Sequence, residues 1–207
     1  MIEKTRKRRQ AMLEFDEQLM QKYGKICGVD EAGRGPLAGD VYAAAVIFPE
    51  NCDIIGLDDS KKLSEKRREV LFTEIQKKAI AFCIATASIA EIEKYNILQA
   101  SLLAMKRAVE GLQIVPDYAV IDGNQLPKIN IPKECIIKGD GISASIAAAS
   151  ILAKVARDNY MKEQAKLYPE YLFEKHKGYG TAEHRKLLLK YGACPIHRKS
   201  FLKKILP

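Results

Sequence analysis

The chain has 207 residues, 47% of them hydrophobic and 29% charged, and its 34 Lys and Arg against 26 Asp and Glu give a formal net charge of +8. That length is enough for one domain with a sizeable core, and that composition excludes an intrinsically disordered chain. No apolar run approaches the roughly 20 residues of a membrane span, and no signal-peptide core follows the basic N-terminus, so a cytoplasmic protein with no membrane role is expected.

In chain order, residues 3–21 are spaced as an amphipathic helix whose apolar face carries Met12, Phe15, Leu19 and Met20. Residues 26–30 and 41–48 read as strands, joined as a hairpin through the turn-rich stretch 32–39. A helix over 64–78 turns Val70, Leu71, Phe72 and Ile75 inward, a third strand spans 80–88, and a helix over 96–112 ends near Gly111. Short strands follow at 118–122 and 134–138. The longest helical pattern covers 142–167 and stops before Pro169, and Thr181 is placed to cap another helix running to Tyr191. This order implies an α/β or α+β sheet with an antiparallel first part and helices on its faces. We divide the chain into an N-terminal helix (1–24), a core (25–170) and a basic helical extension of the same domain (171–207). The five cysteines form no CxxC pair and are expected to be reduced, mostly buried thiols. His176, His184 and His197 lack a metal-ligand spacing.

Charge is unevenly spread. Residues 175–207 hold nine Lys and Arg against Glu183 alone, whereas residues 11–174 net −4. A carboxylate-bearing body with a phosphate-gripping end is one way to build such a chain; solvated faces and a frayed tail are the other.

Four acids stand at or just beyond the ends of apolar strands: Asp30, Glu31, Asp122 and Asp140. If those strands are neighbours, the carboxylates converge at one sheet edge, where they repel unless a hard cation neutralises them. Two Mg²⁺ ions about 4 Å apart would activate a water and stabilise a leaving oxygen in phosphodiester hydrolysis. Taken singly, each acid is equally a turn former or a cap. Asp158 lies about 24 Å further along the last long helix at ~1.5 Å per residue, and we read it as a helix-surface acid, not a ligand. The small-residue start of that helix suits either a phosphate at its N–H groups or close packing on the sheet.

Seven blocks resemble, in order, the type 2 ribonucleases H, in particular bacterial ribonuclease HII: GVDEAGRGPLAG at 28–39, DSKKLS at 59–64, IDGN at 121–124, KGD at 138–140, AASILAKV at 148–155, HKGYGT at 176–181 and HRKSF at 197–201. They cover the chain from about Lys25 onward. The first 24 residues are too short for the substrate-binding domain that precedes ribonuclease HIII, and the Gly-Arg-Gly turn also favours HII. The resemblance implies a ribonuclease H-like mixed five-stranded sheet with flanking helices. It further implies Mg²⁺- or Mn²⁺-dependent cleavage of RNA in RNA–DNA hybrids and incision 5′ to single ribonucleotides in duplex DNA, leaving a 3′-hydroxyl and a 5′-phosphate.

By the same resemblance the metal ligands are Asp30, Glu31, Asp122 and Asp140, two ions acting with substrate bound. Gly33, Arg34 and Gly35 match the motif that reads the 2′-hydroxyl at the RNA–DNA junction. Tyr179 matches the tyrosine that packs on the next sugar, and Lys61 and Lys62 sit in a phosphate-contacting block. The implied partner is nucleic acid and the implied state a monomer, with Lys175, Lys177, Arg198 and Lys199 gripping the backbone. Two other readings stay open at this stage: a ribonuclease H-like nuclease of different specificity, and a non-catalytic nucleic-acid-binding module.

Overall fold

The computed structural model describes residues 2–52, 54–58 and 60–206, with side chains described from Arg6 onward; Asp59, which opens the second of the seven blocks, lies outside them. Five strands form one mixed sheet in the order β3-β2-β1-β4-β5. Strands β1 (Ile26–Ala32), β2 (Val41–Ile47) and β3 (Ala81–Ala87) run as an antiparallel meander, while β4 (Tyr118–Asp122) and β5 (Lys133–Ile136) add in parallel beyond β1. β1 and β2 are buried on both faces and so read as near-continuous apolar runs.

One face is covered by α3 (Ile89–Glu110), whose Ile92, Ala100, Ala104, Met105 and Ala108 pack on β1, β2 and β3. The expected helix over 96–112 is longer than its pattern suggests. Ser88 and Glu91 form a capping box that starts it early, and Asn96, at φ 69°, kinks it and breaks the periodicity. The other face carries α1 (Ile2–Tyr23), α2 (Glu65–Lys78) and α4 (Ala144–Leu167). In α2, Leu71 and Ile75 point inward as expected, but Val70 is exposed, being out of phase with that face.

The small residues of α4 serve close packing. A Cβ on Gly28 of β1 would stand 2.2 Å from the Ser145 carbonyl carbon, so only glycine admits the helix this near the strand. The start of α4 is buried and its donors are taken: Asp16 of α1 accepts from the Ser145 N–H at 2.7 Å, and the Ser143 hydroxyl from that of Ile146 at 3.2 Å. The phosphate alternative for this helix end is thereby set aside, and the N-terminal helix acquires a role as its anionic cap. Asp16 is buried, which pushes its carboxyl up to about 6.

The C-terminal segment adds α5 (Phe173–His176), α6 (Ala182–Tyr191, capped by Thr181) and α7 (Lys199–Leu202). It builds a cluster of its own from Phe173, Leu188, Ile196 and Leu202 against Leu37 and Met161. All five cysteines are free, but only Cys27 is fully buried; the other four are half-buried, a correction to the expectation. Among the described residues no helix is long and apolar enough to cross a membrane.

Candidate active site

The sheet register brings the acids together. Val29 of β1 lies opposite Ile121 of β4, so the next residues, Asp30 and Asp122, come side by side where β4 ends. β1 runs on past β4 through Glu31 to Ala32, which lets two consecutive acids reach the same edge although strand side chains alternate. Asp140 sits on the single 3₁₀ turn Gly139–Gly141 after β5. The Gly139 N–H donates to Asp122 at 2.6 Å, tying that turn to β4.

Asp30 is buried, accepts from the Glu31 N–H at 2.7 Å and takes a hydrogen bond from Ser150. Burial first, then the charges of Glu31 and Asp122, push its carboxyl well above the usual range. Glu31 is raised for the same leading reason, burial, with Asp122 adding and the Arg34 guanidinium, 3.6 Å away, opposing. Asp140 is also buried and meets the Lys61 ammonium at 3.6 Å. These are all-oxygen donors, crowded and desolvated so that their charges oppose one another, and such a set suits a hard divalent cation. Among the described residues no three acids, histidines or cysteines stand close enough to grip an ion as placed. Each acid leans on its own partner instead: Asp30 on the Glu31 N–H, Glu31 on Arg34, Asp122 on the Gly139 N–H and Asp140 on Lys61.

A groove at this edge is lined by Asp30, Glu31 and Asp122, its carboxylate wall, and by the Gly33-Arg34-Gly35 turn and Tyr179, its second wall. Gly33 has φ 101°, and a Cβ there would overlap the Arg157 Nε. Tyr179 is 42% exposed, with its ring edge 3.8 Å from where a Gly35 Cβ would lie. Lys61 lines the groove and Lys62, next along the same turn, does not. Ser60, Ser150 and Lys154 also line it and were not singled out from sequence; Ser60 and Ser150 hydrogen-bond to each other at 2.9 Å.

Two buried arginines brace the second wall. Arg198 donates to the carbonyls of Gly33, Arg34, Pro36 and Gly39 at 2.7–3.1 Å. Arg157 donates to those of Ala38, Asp40 and Lys177. Arg198 is therefore not a backbone-gripping cation, as its place in the basic segment suggested: its charge is fully buried. Lys177 is likewise turned inward, bonded to the Glu174 carbonyl, with a side chain 11% exposed. Lys175 and Lys199 remain exposed. Asp158 is not a surface acid either. It is buried between Lys154, at 2.6 Å, and Arg68, at 3.9 Å, because α2 crosses α4 there.

A mixed sheet in this order, with acids at the ends of its adjacent central strands, defines the ribonuclease H class of hydrolases. The family model described as ribonuclease HII matches residues 27–204, and the chain belongs to that family. Ribonuclease HII of Caldicellulosiruptor saccharolyticus is 55% identical over 194 residues, covering 93% of this chain and 95% of that protein. The Albidiferax ferrireducens enzyme of the same name is 58% identical over 178 residues, 86% of each. The solved ribonuclease H2 from Pyrococcus horikoshii OT3 superposes with a TM-score of 0.72 at 25% identity, covering 85% of this chain and 93% of that one. Bst-RNase HIII in complex with Mn²⁺ shares the fold, with a TM-score of 0.64 at 16% identity over 81% of this chain and 63% of that one. The chain is thus an endoribonuclease of RNA–DNA hybrids, and the non-catalytic reading is set aside.

Proposed function

We propose that this ribonuclease also incises duplex DNA 5′ to a single embedded ribonucleotide, with Asp30, Glu31, Asp122 and Asp140 holding two Mg²⁺ or Mn²⁺ ions. The observation that carries the reading is the shared groove: Asp30, Glu31 and Asp122 line it together with the Gly33-Arg34-Gly35 turn and the exposed Tyr179 ring.

Bound ions would supply an activated water and neutralise charge on the leaving oxygen. Water attacks phosphorus and the bond to the upstream 3′-oxygen breaks, leaving a 3′-hydroxyl and a 5′-phosphate on the ribonucleotide. In this reading the chain's own groups do the positioning. Arg198 draws the Gly33 and Arg34 carbonyls inward, so the turn offers its N–H groups to a 2′-hydroxyl. Tyr179 packs on the following sugar, where a second 2′-hydroxyl would crowd the ring. Lys61 and Lys154 meet phosphate oxygens, Lys61 giving up its contact with Asp140 as it does so.

The test is a DNA duplex with one ribonucleotide, incubated with Mg²⁺ or Mn²⁺ beside a long RNA–DNA hybrid. Incision 5′ to the ribonucleotide is expected. Cleavage of the hybrid alone would sink the junction-specific reading.

A further inference from the structure

The three histidines dismissed as a metal site meet in the C-terminal segment. His184 and His197 are buried, and their Nε2 atoms lie 3.0 Å apart. At the far end of His197, the Cys194 N–H points at Nδ1 from 2.9 Å, and the Cys194 thiol, which can donate as well as accept, lies 3.1 Å from the same atom. At the far end of His184, Nδ1 lies 2.9 Å from the backbone carbonyl oxygen of Tyr179. A carbonyl only accepts, so His184 carries its proton on Nδ1 and presents a bare Nε2. An N–H only donates, so His197 has a bare Nδ1 and carries its proton on Nε2. The two ends thus assign tautomers independently, and those tautomers fit at the middle contact: His197 Nε2–H donates to His184 Nε2.

The relay has a direction and an end point, and the end point is the backbone of the residue that faces the groove. His176 stacks on His184 with ring centroids 4.3 Å apart and is fixed in the same way. Its Nε2–H donates to the Tyr171 carbonyl at 2.8 Å, and the Gly178 N–H donates to its Nδ1 at 3.2 Å. The Tyr179 N–H in turn donates to the His176 carbonyl at 2.9 Å. Every polar atom of the three rings is used, and none is turned to solvent or to the carboxylates.

We infer that His184 and His197 are positioning residues for junction recognition: a tautomer-ordered pair of neutral rings, anchored on Cys194, that holds Tyr179 at the height where it selects the sugar. The relay also ties the two recognition elements together, because Arg198, which holds the Gly-Arg-Gly turn, directly follows His197. The inference rests on the junction reading of Tyr179 given above.

The experiment exploits the two amide isosteres of histidine. Asparagine reproduces the group at Nδ1 and glutamine the group at Nε2. At His184 the contact that matters is Nδ1–H to Tyr179, so His184→Asn should keep the preference for a single ribonucleotide over a hybrid. His184→Gln should lower it by roughly tenfold. At His197 the link runs through Nε2, so the pattern reverses: His197→Gln keeps the preference and His197→Asn loses it. All four variants lose an imidazole ring, and a merely structural role would rank the smaller Asn and the larger Gln alike at the two sites and give no crossing. ¹⁵N shifts of the unsubstituted protein give a readout independent of folding and activity, with Nδ1–H expected at His184 and Nε2–H at His197. Equal effects of Asn and Gln at each site, or the opposite tautomers, would overturn the relay. Tyr179→Ala separates the premises: if it leaves the preference unchanged, the junction reading fails, and the positioning role with it, even where the tautomers are as assigned.

Discussion

On one wall of the groove Asp30, Glu31 and Asp122 crowd together, and burial and mutual repulsion raise the carboxyls of Asp30 and Glu31. On the other wall the carbonyls of Gly33, Arg34, Pro36 and Gly39 each receive a guanidinium N–H, and the Tyr179 carbonyl receives His184. The first wall is electrostatically unfinished and leaves room for cations to complete it. The second is finished by the protein alone and can present a fixed template to a sugar. Under the proposed function, a site built this way would separate its two tasks: the chemistry would arrive with ions, while discrimination would be folded in beforehand, where preorganisation costs nothing at binding.

Substitutions on the two walls should therefore fail differently. Beside the carboxylate wall, Asp140→Asn is expected to cut incision at least about a thousandfold, since it would remove a proposed ligand to ions worth several kcal/mol to the transition state. Duplex affinity, measured by fluorescence anisotropy, should stay within about threefold, because the phosphate contacts are elsewhere. Unchanged incision would remove Asp140 from the site. On the recognition wall, Arg198→Met strands four buried carbonyls and is expected to cost about 3 kcal/mol or more of stability, read as a lower urea midpoint at constant slope. Arg198→Lys should recover only part of this, since one ammonium cannot reproduce the guanidinium fork. A variant at Arg198 as stable as the parent would show that the brace is dispensable.

Acid should loosen the recognition wall. Burial holds His184 and His197 neutral, with pKa values pushed down to about 4 from the ordinary 6.5. Between those values the unfolded chain binds more protons than the native one. The stability contributed by the neutral rings is complete above about pH 6.5 and is lost as pH falls toward about 4. Urea midpoints across that window should drop on acidification, and the drop should shrink in His184→Asn, which removes one titrating ring. A midpoint flat from pH 6.5 to 4.5 would contradict the burial of these two groups.

The carboxylate wall was legible in the sequence because each strand is an apolar run that ends in an acid, and strand ends that share an edge need no long-range information beyond strand order. The recognition wall was only half legible. The Gly-Arg-Gly turn announces itself through its glycines, but Arg198 reaches the Gly33 carbonyl from 165 residues away and sits among basic neighbours, where a solvated role is the natural expectation. Nothing local distinguishes a buried guanidinium from an exposed one when its partners are backbone carbonyls, which every residue carries. The histidine relay was hidden for the same reason: its ends are a backbone N–H and a backbone carbonyl, so no spacing of side chains marks it. Asp158 shows the converse limit. Helical rise set it apart from the four acids, but could not tell that Arg68 of α2 covers it.

The +8 charge also divides between the two walls and the exterior, and this gives the smallest expected effect. Arg157 and Arg198 are spent on carbonyls, so they cannot release counterions when a duplex binds. Lys203 and Lys204, by contrast, are exposed on the last described turn beyond α7. Reversing both to Glu should lower the slope of log affinity against log salt by less than about 2, the limit for two phosphate contacts at ~0.9 each on duplex DNA. Incision at saturating substrate should be unaffected, because neither residue lines the groove. A slope that does not change would make the tail a bystander and leave Lys61, Lys154 and Lys175 as the remaining sources of the salt dependence. A change well above two contacts would mean that the tail steers the duplex onto the groove through its field as well as by touching it.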